Sequence, residues 1–143
     1  MWMSSTRWER TSLPRLDVLL SPGGQGTRRQ LREPDLLDRS RSRASSGTLM
    51  TSVCTRALVP AATRLLSGRR ATTHPESLGL LAELDPTADV HADERWIDDG
   101  GLATSSGVPA GIDMALHLVQ RLAGDERARQ TRRGIRYDPE PAI

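Results

Sequence analysis

A chain of 143 residues has the length of one domain. With 36% apolar residues, 3% aromatic residues and no phenylalanine, its core must be built from Leu, Val, Ile, Ala and Met. Its 20 basic residues, all arginine, are scattered among 18 acids for a net charge of +2, which argues against the clustered, aromatic-lined basic face of a nucleic-acid binder. One cysteine excludes an internal disulfide and a multi-cysteine zinc site, and fits a reducing compartment. No apolar run approaches the roughly 18 residues of a membrane span, and "MWMSSTRWERTSLPR" lacks the apolar stretch of a secretory leader. The expected setting is the cytoplasm, with no membrane and no direct nucleic-acid partner.

Residues 1–15 follow neither a two-residue nor a 3.6-residue period and are expected to be an irregular lead-in. "LDVLLSPGG", from Leu16, is a short apolar run closed by Pro-Gly-Gly, the pattern of a buried strand ending in a tight turn. From Thr27 to about Ala44 the chain is polar, with Leu31, Leu36 and Leu37 at helical spacing; Pro34 predicts a loop followed by a helix starting near that residue. Gly47 opens a strand over 48–53. Ala57, Leu58, Ala61, Ala62, Leu65 and Leu66 predict a helix over 55–66, with Gly68 placed to end it. "PESLGLLAELD" predicts a helix with Pro75 at its first position. "DVHADERWIDDGGLATSSG" reads as two or three short strands turning at Asp99-Gly100-Gly101. "VPAGIDMALHLVQRLAG" is the clearest helix, with Ile112, Ala115, Leu116, Val119 and Leu122 on one face and Gly124 as its stop. A charged helix, "DERARQTRRGI", and a proline-broken tail follow. Alternating strands and helices predict an α/β layered fold with a mostly parallel sheet. Only two convincing buried strands precede the hairpin region, so the sheet is expected to be incomplete on its N-terminal side.

The cysteine falls in "TSVCTRAL", at a predicted strand end and helix start. Free N–H groups and the positive helix end favour a thiolate there, and the next backbone N–H can help hold an oxyanion. "SPGG" at 21–24 ends a neighbouring strand on the same edge, where glycines let a further N–H approach. Position alone leaves open the alternative that Cys54 is a small buried apolar residue.

"DVLLSPGG", "TSVCTRAL", "GRRATTH", "WIDDGGLATSSGVPAGIDMALHLV" and "YDPEP" stand in the order and spacing of the ThiJ/PfpI family. Over residues 16–143 the chain resembles that family, most of all its isonitrile hydratase-like branch. That branch is similar to the sensor domain of GlxA-type transcription regulators. The resemblance implies a flavodoxin-like three-layer sandwich, commonly a homodimer, with a nucleophile elbow. It implies that Cys54 is the nucleophile, that Thr55 lies beside the thiol, and that the turn Gly23-Gly24 supplies oxyanion and substrate contacts through the Gly24 amide. The implied reaction is a hydro-lyase one: thiolate attack on the carbon of a small isonitrile, and addition of water to give an N-substituted formamide, with neither metal nor cofactor. The alternative is a non-catalytic ligand-sensing module.

Departures from the family pattern shape these expectations. The family has a strand–helix–strand segment before the "PGG" strand, carrying the carboxylate that serves the cysteine. Glu9 lacks the right surroundings, and Asp17 matches a residue that is not the catalytic acid, so the carboxylate is expected to be missing. Arg56 stands where glycine is usual; it would either keep the Cys54 thiolate charged in place of the lost carboxylate or distort the elbow by its bulk, and distortion is the expectation. Pro60 falls inside the predicted helix, at a cost approaching about 3 kcal/mol unless it lies in the first turn. Pro75 replaces an aromatic residue. "HPE" at 74–76 echoes a glutamine amidotransferase triad, but His74 lies only twenty residues after Cys54. His91 and His117 are expected to pack or face solvent.

Overall fold

The computed structural model describes residues 15–138. Its central sheet has four strands in the order β1-β2-β6-β5. Strands β1 (Val18–Ser21), β2 (Leu49–Val53) and β6 (Leu102–Ser105) run parallel. Strand β5 (Trp96–Asp98) is antiparallel to β6, and the turn at 99–101 joins them as the sequence predicts. The register sets Ser21 beside Ser52 and Val53 beside Ser105. The Pro22-Gly23-Gly24 turn and Cys54 therefore emerge at one sheet edge.

Side chains alternate across the sheet because successive strand residues point to opposite faces. Leu19, Met50 and Leu102 meet Leu58, Ala61, Leu66 and Leu81 on one face. Val18, Leu49, Val53 and Ala103 meet Met114 and Leu118 on the other. The sheet is thus enclosed by two helical layers, the three-layer α/β arrangement expected. The first layer contains α1 (Thr27–Gln30), α2 (Pro34–Ser45), α3 (Leu58–Ala62) and α4 (Leu78–Leu84). The second contains α5 (Val108–Ala123), against which α6 (Asp125–Gly134) packs. Strands β3 (Arg70–Ala71) and β4 (Asp89–Val90) form a separate parallel pair.

Pro34 starts α2, as expected from its fixed φ and missing donor. Pro75 opens a 3-10 turn over Pro75–Ser77 that leads into α4. The single helix expected over 55–66 is corrected to a 3-10 turn, Cys54–Ala57, and the five-residue α3. Gly68 does not end α3. A Schellman motif does so four residues earlier, with Arg64 at φ 61, Leu65 N–H donating to Pro60 O (2.9 Å) and Arg64 N–H to Ala61 O (3.0 Å). Pro60 sits in the first turn of α3, directly after the 3-10 turn, which is the placement that spares the expected interior penalty.

Helix α5 ends at Gly124 as predicted, but its buried side chains are Ala110, Met114 and Leu118. The stripe chosen by periodicity is displaced from the sheet. Ile112, Ala115, Leu116 and Val119 line a groove with Leu20, Val53, Val108 and Ile135, and Leu122 is exposed. Among the described residues no helix is long and apolar enough to cross a membrane.

Candidate functional site

Strand β2 finishes at Val53 in extended backbone, and Cys54 then turns to φ +59. A left-handed conformation costs an L-residue about 1–2 kcal/mol, so it persists only where the surroundings impose it. Two contacts do so. Thr73 Oγ1 donates to the Cys54 carbonyl (2.9 Å), and the Gly23 backbone stands close to the flanking Val53 O and Thr55 N. The thiol is half-buried and free, and among the described residues Sγ has no hydrogen-bond partner.

That close approach explains glycine at position 23. A Cβ there would lie 2.6 Å from Val53 O and 2.9 Å from both Thr55 N and Thr55 Oγ1, distances that real Cβ atoms do not tolerate. Gly24, at φ +129, donates its N–H to Thr55 Oγ1 at 2.9 Å. The Thr55 hydroxyl also lies 3.2 Å from Gly24 O and 3.2 Å from Thr27 Oγ1. Cys54, Thr55, Gly23 and Gly24 are thus brought into one hydrogen-bonded unit. In it the Gly24 amide is held by Thr55.

Arg56 does not distort the elbow: Cys54 keeps its left-handed turn, and Arg56 Nη1 donates to Gln30 Oε1 on α1. Burial lowers the guanidinium pKa, and the Glu33 carboxylate counters this. The histidines make local contacts. His74 Nδ1 accepts from the Glu76 N–H (3.3 Å) at the 3-10 turn, so these two residues cap a turn and form no triad with Cys54. His91 pairs with Asp89 at 2.9 Å. His117 pairs with Asp98 at 2.7 Å and stacks on Trp96, with ring centroids 4.3 Å apart. Asp17 is exposed, with its carbonyl accepting from Leu49 N–H, and Glu9 lies outside the described residues. Among those residues no group of three His, Cys, Asp or Glu side chains could hold a metal ion. Sequence reasoning missed Thr73, Thr27 and Gln30; the "TTH" run was the one local hint of Thr73.

A cysteine forced into a left-handed turn at a parallel strand end, facing a glycine turn from the adjacent strand, agrees with what residues 6–121 match: the DJ-1/PfpI family. The chain belongs to the DJ-1/PfpI family. It is 41% identical over 128 residues to the isonitrile hydratase of Pseudomonas putida, covering 90% of this chain and 55% of that protein. It is 30% identical over 122 residues to protein dj-1beta of Drosophila melanogaster, covering 85% and 64%. Among solved structures, a THiJ/PfpI family protein from Pseudomonas syringae superposes with a TM-score of 0.82 at 31% identity, covering 94% of this chain and 55% of that one. The fold is therefore the flavodoxin-like one of this family. The chain spans between about half and two-thirds of the length of these relatives.

Proposed function

We propose that Cys54 is a nucleophile towards the carbon of a small isonitrile. The observation that supports this most is the left-handed Cys54 at the β2 end, and the 41% identity to an isonitrile hydratase supports the substrate class. The thiolate adds to the terminal isonitrile carbon, which takes up a proton from solvent to give a thioimidate. Water then adds to the same carbon. The C–S bond breaks, a proton passes to nitrogen, and an N-substituted formamide leaves with the thiolate restored. The scheme consumes one water and calls on neither metal nor cofactor. Negative charge on the intermediate would meet the Thr55 N–H, which has no acceptor in a first helical turn, and the Gly24 N–H once it leaves Thr55 Oγ1. A homodimer is part of this proposal, to be measured by light scattering.

The test is proton NMR of an alkyl isonitrile incubated with the wild-type protein and with Cys54→Ser. The reading expects a formamide proton to appear with the wild type alone. No formamide with the wild type, together with iodoacetamide alkylation at pH 6 no faster than a free thiol, overturns it.

A second reading, a ligand-sensing module without turnover, is favoured by one observation. The chain is 34% identical over 97 residues to the HTH-type transcriptional regulator CdhR of Pseudomonas aeruginosa, covering 68% of this chain and 29% of the regulator. It expects small-molecule stabilisation that survives Cys54→Ser.

A further inference from the structure

We propose that Arg56 is a positioning residue: through Gln30 it fastens the elbow to helix α1 and so sets where the Gly23-Gly24 turn stands against Cys54. The role in catalysis rests on Cys54 being the nucleophile.

Helix α1 has four residues, Thr27–Gln30, far too few to be stable by its own hydrogen bonds. External ties must therefore place it, and three are visible. Gly24, Thr27 and Gln30 recur every third residue, so one face of the segment is turned to the elbow. Gly24 and Thr27 both meet Thr55 Oγ1, and Gln30 Oε1 accepts from Arg56 Nη1. Two consecutive elbow residues thus hold the two ends of one short segment. A long side chain is needed for the far tie, and its environment suits a guanidinium. Arg56 lines a small, partly open cavity of about 20 Å³ in which Ser40, Thr51 and Ser52 stand among apolar neighbours such as Met50 and Val59, and the Ser52 hydroxyl has no protein partner among the described residues. The Glu33 carboxylate at the start of α2 adds electrostatic attraction to the guanidinium. Because arginine keeps its charge when partly buried, the tie does not loosen over the physiological pH range.

The experiment compares wild type, Arg56→Ala, Gln30→Ala, the double variant and Arg56→Lys by amide hydrogen exchange, with Cys54 alkylation in parallel. Each alanine variant is expected to speed exchange over residues 24–31 by about tenfold, the scale of one lost charge-assisted hydrogen bond, while β2 and β6 amides keep their rates. The double variant adds nothing beyond the larger single effect, because both remove the same bond. Arg56→Lys restores part of the protection, since an ammonium offers one donor to Gln30. Alkylation slows in the variants that lose protection. Unchanged exchange at 24–31 in Gln30→Ala, or a uniform rise over the whole molecule, overturns the proposal. If Arg56→Ala fails to fold, Gln30→Ala carries the same comparison. A wild-type thiol of ordinary reactivity ends the catalytic reading but leaves the exchange comparison intact.

Discussion

Two residues carry separable consequences at the scale of single side chains. Gly23→Ala would push a methyl group onto Val53 O, Thr55 N and Thr55 Oγ1, and two of those three atoms are backbone and cannot swing aside. Overpacking of this kind costs about 1–3 kcal/mol, so the urea midpoint should fall and Cys54 alkylation should slow with it. A midpoint unchanged from wild type would contradict the close approach. Asp85 is fully buried. Burial pushes its carboxyl pKa up, but hydrogen bonds from Thr87 Oγ1 (2.6 Å), Ser67 Oγ (2.9 Å) and Thr87 N–H (3.2 Å), with the Arg64 charge, hold it below the ordinary value. A folded-state pKa below the unfolded one stabilises the fold above the ordinary carboxylate pKa of about 3.9, and that contribution is lost as pH falls through the depressed value. Asp85→Asn should therefore melt well below wild type at neutral pH, and the gap should narrow as the solution is acidified below about pH 4. Thermal melts across that range check it. Cys54 was legible in the sequence because a lone thiol at a strand end is a local pattern. The direction of Arg56 was not, because its partner Gln30 is distant in the chain and the choice between Sγ and α1 is made by packing.

Elements were legible where local stereochemistry decides them. Pro34 at the start of α2, the 99–101 turn and Gly124 after α5 all follow from backbone preferences carried by the residues themselves. The segment 54–66 was not, because its apolar period continues past the point where the backbone stops being helical. The stop is a Schellman motif whose left-handed position holds Arg64 instead of glycine, so no composition signal marks it. Thr63 Oγ1 adds to the same stop by lying 3.0 Å from Val59 O and 3.1 Å from Pro60 O. Pro60 lies in the first turn of a five-residue helix and so interrupts little of its bonding. Pro60→Ala is accordingly expected to change stability by less than about 1 kcal/mol, whereas a proline inside a longer helix would give about 3 kcal/mol on removal. Differential scanning calorimetry on the two proteins decides between these outcomes.

For the whole molecule, the displaced stripe of α5 has the largest consequence. Leu20 (53% exposed), Val108 (74%) and Ile135 (54%) rim the groove between the sheet, α5 and the end of α6, and among the described residues β1 lies at an edge of the sheet. A contiguous apolar surface of this kind binds hydrophobic dyes and favours association. Leu20→Ser combined with Ile135→Ser is expected to lower anilinonaphthalene sulfonate fluorescence markedly while leaving the melting temperature nearly unchanged, because neither side chain is buried in the core. An unchanged dye signal would mean that the surface is covered. The sequence by itself determined the α/β class, the order of the main strands and helices, and the cysteine at the end of β2, since periodicity, proline and glycine act over a few residues. Only the tertiary structure decided which face of α5 meets the sheet, that Thr55 holds the Gly24 amide, that Thr73 grips the Cys54 carbonyl, and that Arg56 reaches for Gln30. Those outcomes depend on groups between 19 and 31 positions apart in the chain, or on which of several apolar faces packs best, and no local pattern encodes either.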